Sequence, residues 1–156
     1  MKKMFNLIVT FGLVLVSISA MADDGLVRVE SAHSVAATAD RLEAALQKKG
    51  MTVFIRINHT QGAHEVGLSI PPTEVVIFGN PRVGAPLMQC APSVAIDLPQ
   101  KMLIWQDAAT GKTWLAYNDP AYLAKRHNIS GCDEPLQKVA NALANFAKAA
   151  AAPIKY

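Results

Sequence analysis

An α+β fold is predicted by three observations. The chain reads in the order strand, helix, several strands, then helices. Two long segments carry apolar residues at steps of three and four, and the shorter segments between them alternate apolar and polar residues. No internal repeat, low-complexity tract or linker divides residues 23–156, so one domain is expected, an antiparallel-dominated sheet covered by helices.

Leu26, Val27 and Val29, interleaved with Arg28 and Glu30, predict a first strand. Ser34 is placed to cap a helix over 35–49 whose buried stripe is Val35, Ala39, Leu42 and Leu46. Asp40, Arg41, Glu43, Gln47 and Lys48 then fall on the wet side, and Gly50 stops the helix. Met51, Val53, Ile55 and Ile57 alternate with Thr52, Phe54, Arg56 and Asn58, which predicts a strand with the first set in the core. Gly62 and Gly67 bracket a short irregular or one-turn helical surface stretch holding His59 and His64, closed by Pro71-Pro72.

The nearly continuous apolar run over 74–78 predicts an interior strand buried on both faces, and Gly79-Asn80-Pro81 turns the chain. Residues 83–98 are helical in content but divided into pieces by Pro86 and Pro92. Segments 102–105 and 113–117 flank Asp107, Gly111 and Lys112 and predict a hairpin. Asp119-Pro120 opens a helix towards His127. Asp133, Glu134 and Pro135 open the last one, with the stripe Leu136, Val139, Leu143, Phe146 and Ala150. Disorder is expected from about residue 152.

Residues 1–22 read as a cleaved export signal. Lys2 and Lys3 precede an apolar run over 7–18, and Ala20-Met21-Ala22 fits the small-residue cleavage rule. That run is shorter than the roughly 20 residues that span a bilayer. A periplasmic domain with no transmembrane anchor after cleavage is therefore expected. The chain has 15 basic and 12 acidic residues, and loss of Lys2 and Lys3 leaves 13 against 12. With no basic cluster among them, nucleic-acid binding is not expected. Cys90 and Cys132 would share an oxidising compartment, as a disulfide or as two buried thiols.

Several constellations could carry chemistry. His59 and His64 with Met88 and Cys90 offer imidazole, thioether and thiolate ligands that suit copper or another soft metal. His64-Glu65 lacks the second histidine of a zinc-protease helix, and Gly67-Leu68-Ser69-Ile70-Pro71 lacks the last glycine of a nucleophile elbow. No catalytic assembly is expected, although His59 or His127 would serve a small-molecule enzyme. Gly79-Asn80-Pro81-Arg82-Val83-Gly84 sits where phosphate loops sit but lacks their lysine. The favoured ligand site gathers Asn80, Arg82, Met88, Tyr117, Asn118 and His127 at turns and element ends. It would hold a small apolar or anionic molecule without a cofactor.

Thr73-Glu74-Val75-Val76-Ile77-Phe78-Gly79-Asn80-Pro81 is followed by Leu87-Met88-Gln89, Ala95-Ile96-Asp97-Leu98-Pro99 and Trp105-Gln106-Asp107. Trp114, Tyr117-Asn118-Asp119-Pro120 and Leu123-Ala124-Lys125-Arg126-His127 complete the series. With these residues the chain resembles the domain of unknown function 302 (DUF302) family from Gly25 onward. The resemblance implies a TATA-binding-protein-like β-α-β(4)-α core with extra short helices, and a homodimer. It implies no established activity, cofactor or catalytic residue, and the fold alone licenses no DNA binding. This chain has Asn58-His59 where the family often shows Asp-His. A non-catalytic, ligand-binding or stress-associated module is the function expected.

Overall fold

The computed structural model describes residues 24–154. In chain order the elements are β1 (Leu26–Ser31), α1 (Val35–Lys48), β2 (Thr52–Asn58), α2 (His59–Glu65), β3 (Thr73–Gly79) and α3 (Pro81–Cys90). A 3-10 turn (Pro92–Ile96), β4 (Gln100–Gln106), β5 (Thr113–Asn118), α4 (Pro120–Arg126) and α5 (Asp133–Ala151) follow. The five strands form one sheet in the order β1-β5-β4-β3-β2, with every neighbouring pair antiparallel. The α+β architecture and its β-α-β(4)-α order are those expected. The proposed leader, 1–22, lies outside the described residues.

α1 joins the two edge strands and packs with α5 as a layer over one face of the sheet. The apolar stripes predict that layer: Ala39, Leu42 and Leu46 from α1 and Leu143 and Ala150 from α5 are buried against Val76, Phe78, Met102, Ile104 and Leu115. Phe78 and Phe146 meet edge to face with ring centroids 6.0 Å apart. Ser34, Asn58, Asn80 and Asp119 each accept a backbone N–H in the first turn of the helix that they cap. Asn58 caps α2 as an aspartate would. The β1 entry needs Gly25, whose φ is +72° and whose missing side chain leaves room for the ring of Tyr122.

Five local expectations are corrected. The alternation in β2 breaks at a bulge between Val53 and Ile55, so Ile55 is exposed and Arg56 turns to the helix side. β3 is buried on one face only: Glu74, Val76 and Phe78 are covered, whereas Val75 and Ile77 are half-buried. α3 continues through Pro86, because burial of Leu87 offsets the lost bond, and it ends at Ala91 before Pro92. His59 and His64 lie on α2, a regular helix. Arg41 is not merely solvated: its guanidinium donates to the carbonyls of Ala149, Ala150 and Ala152, closing the end of α5. Together with the bond between His33 Nε2 and the Ala152 carbonyl, at 2.8 Å, this holds the chain in place through residue 152.

Candidate ligand cavity and the His127 cluster

A cavity of about 310 Å³ opens where α3 leans over the end of β3. Met51 and Phe54 line it from the β2 side, and Val83, Gly84, Leu87 and Met88 from α3. Ala95, Leu98 and Pro99 close it behind, with Val139 of α5 and Gln100 of β4 beneath. The bulge explains Phe54: as the extra residue of β2 it swings to the rim, where it is 55% exposed. Among the described residues, no Lys, Arg, His, Asp or Glu contributes to the lining. The volume lies at the low end of the roughly 300–1,000 Å³ of small-molecule sites.

Two polar side chains, Asn80 and Gln100, belong to the lining, and Gln100 is the buried one. It is the first residue of β4, pairs with Phe78 and is only 8% exposed. Among the described residues, its Nε2 is a buried side-chain nitrogen with no hydrogen-bond partner. The predicted strand begins at Met102, whereas β4 begins two residues earlier and Gln100, Met102 and Ile104 share one face.

The six residues expected to form one ligand site are dispersed. Asn80 and Met88 line the cavity, and Asn80 also donates to the Gly50 carbonyl. Arg82 follows on α3 but is not among the lining residues. Tyr117 is 5% exposed within the core, and its hydroxyl pKa is raised by burial and by the charge of Asp119. Asn118 pairs with Leu26 on the other side of the sheet.

His127 belongs to a separate cluster. Its Nδ1 lies 3.0 Å from Ser93 Oγ and its Nε2 2.6 Å from Asp97 Oδ2, while Arg126 pairs with the other Asp97 oxygen at 3.2 Å. The imidazole is almost wholly covered, whereas Ser93 is exposed. These contacts fasten the 3-10 turn behind the cavity to the end of α4. Ser93 and Asp97 were not expected here, because 30 or more residues separate them from His127.

Cys90 and Cys132 are joined in a disulfide, with Cα atoms 6.4 Å apart, which ties the end of α3 to the start of α5. A bridged Cys90 offers no thiolate to a metal. Of its expected co-ligands, Met88 faces the cavity while His59 and His64 stand on α2. Among the described residues, no group of three or more His, Cys, Asp or Glu is placed to share one metal ion.

Across the sheet from the helices, Val75, Ile77, Leu103, Trp105 and Trp114 form a half-buried apolar surface, with Trp105 and Trp114 as directly paired neighbours. Among the described residues no helix is long and apolar enough to cross a membrane.

Comparison with known proteins places this geometry in context. A crystal structure of an uncharacterized conserved DUF302 protein from Bacillus stearothermophilus superposes with a TM-score of 0.73 at 23% identity, over 81% of this chain and 98% of that one. At that identity the likeness concerns the fold. Fluoride-specific ion channel FluC 1 of Brucella suis is 50% identical over 111 residues, 71% of this chain and 43% of that protein. Its counterpart in Brucella abortus matches equally, over 41% of its length. This chain therefore spans less than half of the curated relatives that it matches. Residues 27–146 match the model of the domain of unknown function DUF302, and with most of its length inside that match the chain belongs to the DUF302 family.

Proposed function

We propose that this protein is an exported, non-catalytic binding module that takes a small apolar or amphipathic molecule into the cavity under α3. The observation that carries this is the cavity itself, about 310 Å³ with no charged residue in its lining among the described residues. Val83 and Met88, each 37% exposed, and Phe54 present an apolar mouth to solvent. That lining favours an apolar ligand over an anionic one, since an anion would enter without a cation to meet it. Export to the periplasm rests on the leader pattern of residues 1–22 and is supported by the Cys90–Cys132 bridge. The expected partner is a second copy of the chain, seated on the apolar sheet face around Trp105 and Trp114. Fluoride channel activity is named for the longer Brucella proteins and is not proposed for this chain.

Gly84→Leu tests the binding reading. A Cβ at Gly84 would meet Leu98 Cδ1 at an ordinary 3.6 Å, so a side chain here fills the cavity without breaking the helix. Native mass spectrometry of the mature domain should show a co-purified small molecule in the wild type and none in Gly84→Leu. Equal retention by both would exclude the cavity as the site.

A second reading has its own observation. Ser93, His127 and Asp97 are the residue types of a hydrolytic relay, joined by hydrogen bonds in that order. Ester hydrolysis that disappears in both Ser93→Ala and His127→Ala would establish it. The first reading is preferred because Arg126 also engages Asp97, which suits a structural pin.

A further inference from the structure

The cavity mouth is bordered by cations that the fold gathers from four segments. Strand register places the start of β2, the end of β3 and the start of β4 at one end of the sheet, where Thr52 pairs with Gly79 and Phe78 with Gln100. α1 ends there too: Lys48 and Lys49 lead through Gly50 into β2, and the Gly50 carbonyl accepts from Asn80 at the start of α3. Arg82 stands between the lining residues Pro81 and Val83, and the Lys101 ammonium lies 3.3 Å from the carbonyl of the lining residue Pro99. Lys48, Lys49, Arg82 and Lys101 are all exposed, and among the described residues none of them is in an ion pair.

The acidic groups near this end are few or engaged. Asp97 is held by Arg126 and His127, and Asp133 and Glu134 stand beyond the disulfide, where Glu134 pairs with Lys138. Asp40, Glu43 and Glu74 surround Arg56 towards the opposite end of the same strands. Inside the basic border, Phe54 is 55% exposed and Val83 and Met88 are each 37% exposed. Apolar side chains edged by free cations match the interface of an anionic bilayer, which takes the first into its acyl boundary and meets the second with headgroup charge. A two-fold contact with a second copy would instead set these cations against themselves.

We infer that this end of the molecule docks on an anionic lipid bilayer, with Phe54, Val83 and Met88 in the headgroup–acyl boundary, so that an apolar ligand passes between bilayer and cavity without crossing water. The inference rests on the binding reading above for its ligand and adds the partner surface.

Co-sedimentation of the mature domain with vesicles tests it, using phosphatidylglycerol mixed with phosphatidylcholine beside phosphatidylcholine alone. The domain should bind the anionic vesicles, and added salt should release it. Each cation near such a surface strengthens binding about fivefold, so the double variant Lys49→Gln/Arg82→Gln should bind about thirtyfold more weakly at an unchanged melting temperature. Val83→Ser should also weaken binding. Gly84→Leu, which fills the cavity, should bind vesicles as the wild type does. Equal binding to both vesicle types, or to neither, would overturn the docking inference and leave the cavity reading to the retention experiment above. Loss of vesicle binding in Gly84→Leu would place the lipid contact inside the cavity and overturn the surface. A dimer that Val83→Ser converts to monomer in sedimentation velocity would make the mouth a contact between copies and overturn it as well.

Discussion

The two ends of the β3–β4 strand pair bury polar side chains on the same face, and they treat them in opposite ways. At one end Glu74, 7% exposed, accepts from Arg56, whose guanidinium also reaches Asp40 and Glu43. At the other, Gln100 sits beside Phe78 at the edge of a cavity, and among the described residues its buried amide nitrogen has no partner. The first end is dry and satisfied, so its polarity is spent on holding α1 to the sheet. The second end is left open by α3, which is anchored at its far end by a disulfide rather than packed flush. A paired buried polar group is evidence of structure.

That contrast can be broken by experiment. The largest effect is expected at the open end. Converting Cys90 and Cys132 to serine releases a crosslink spanning 42 residues, which the chain-entropy model values at about 4 kcal/mol. Denaturant midpoints with and without reductant should show that loss in the wild type and no response in the double variant.

Arg56→Met comes next, at about 3 kcal/mol, because it strands the buried carboxylate of Glu74. Adding Glu74→Leu should recover most of the loss in a double-mutant cycle. Failure to recover it would mean that the guanidinium acts through packing. Gln100→Met should have the opposite sign, about 1 kcal/mol of stabilisation, read from the same denaturation curves. Equal signs at Arg56 and Gln100 would erase the distinction between the two ends.

The smallest effect concerns Tyr117, another polar group on this face. Its raised pKa means that the folded state holds the phenolic proton more tightly than the unfolded chain does. Stability is therefore complete below the ordinary tyrosine pKa of about 10 and declines as pH rises through the higher folded value. Unfolding free energies measured between neutral and strongly alkaline pH should show this decline, and Tyr117→Phe should flatten it.

Much of the fold was legible because its signals are local. Ser34 and Asp119 cap helices where the sequence places them, and the α1 and α5 stripes predict which residues are buried. The errors arose where one residue changes the geometry of its neighbours. The extra residue in β2 reverses the faces of Ile55 and Arg56, and no period-two pattern records a bulge. Arg41 looked solvated because its partners, at the end of α5, lie more than 100 residues away. Of the residues expected to form one ligand site, Asn80 and Met88 lie on one helix and its cap and line one cavity, whereas Tyr117 lies in the core and His127 in a separate cluster.

Helix caps, apolar stripes, the α+β order and the family were determined by the sequence alone, since each depends on residues close together in the chain or on a string matched in order. Only the tertiary structure decided which polar groups are paired. Arg56 finds Glu74 18 residues away and His127 finds Asp97 30 residues away, whereas the side-chain nitrogen of Gln100 finds no partner among the described residues. Pairing inside a core depends on where strands and helices come to rest against one another, and neighbouring residues carry no record of it.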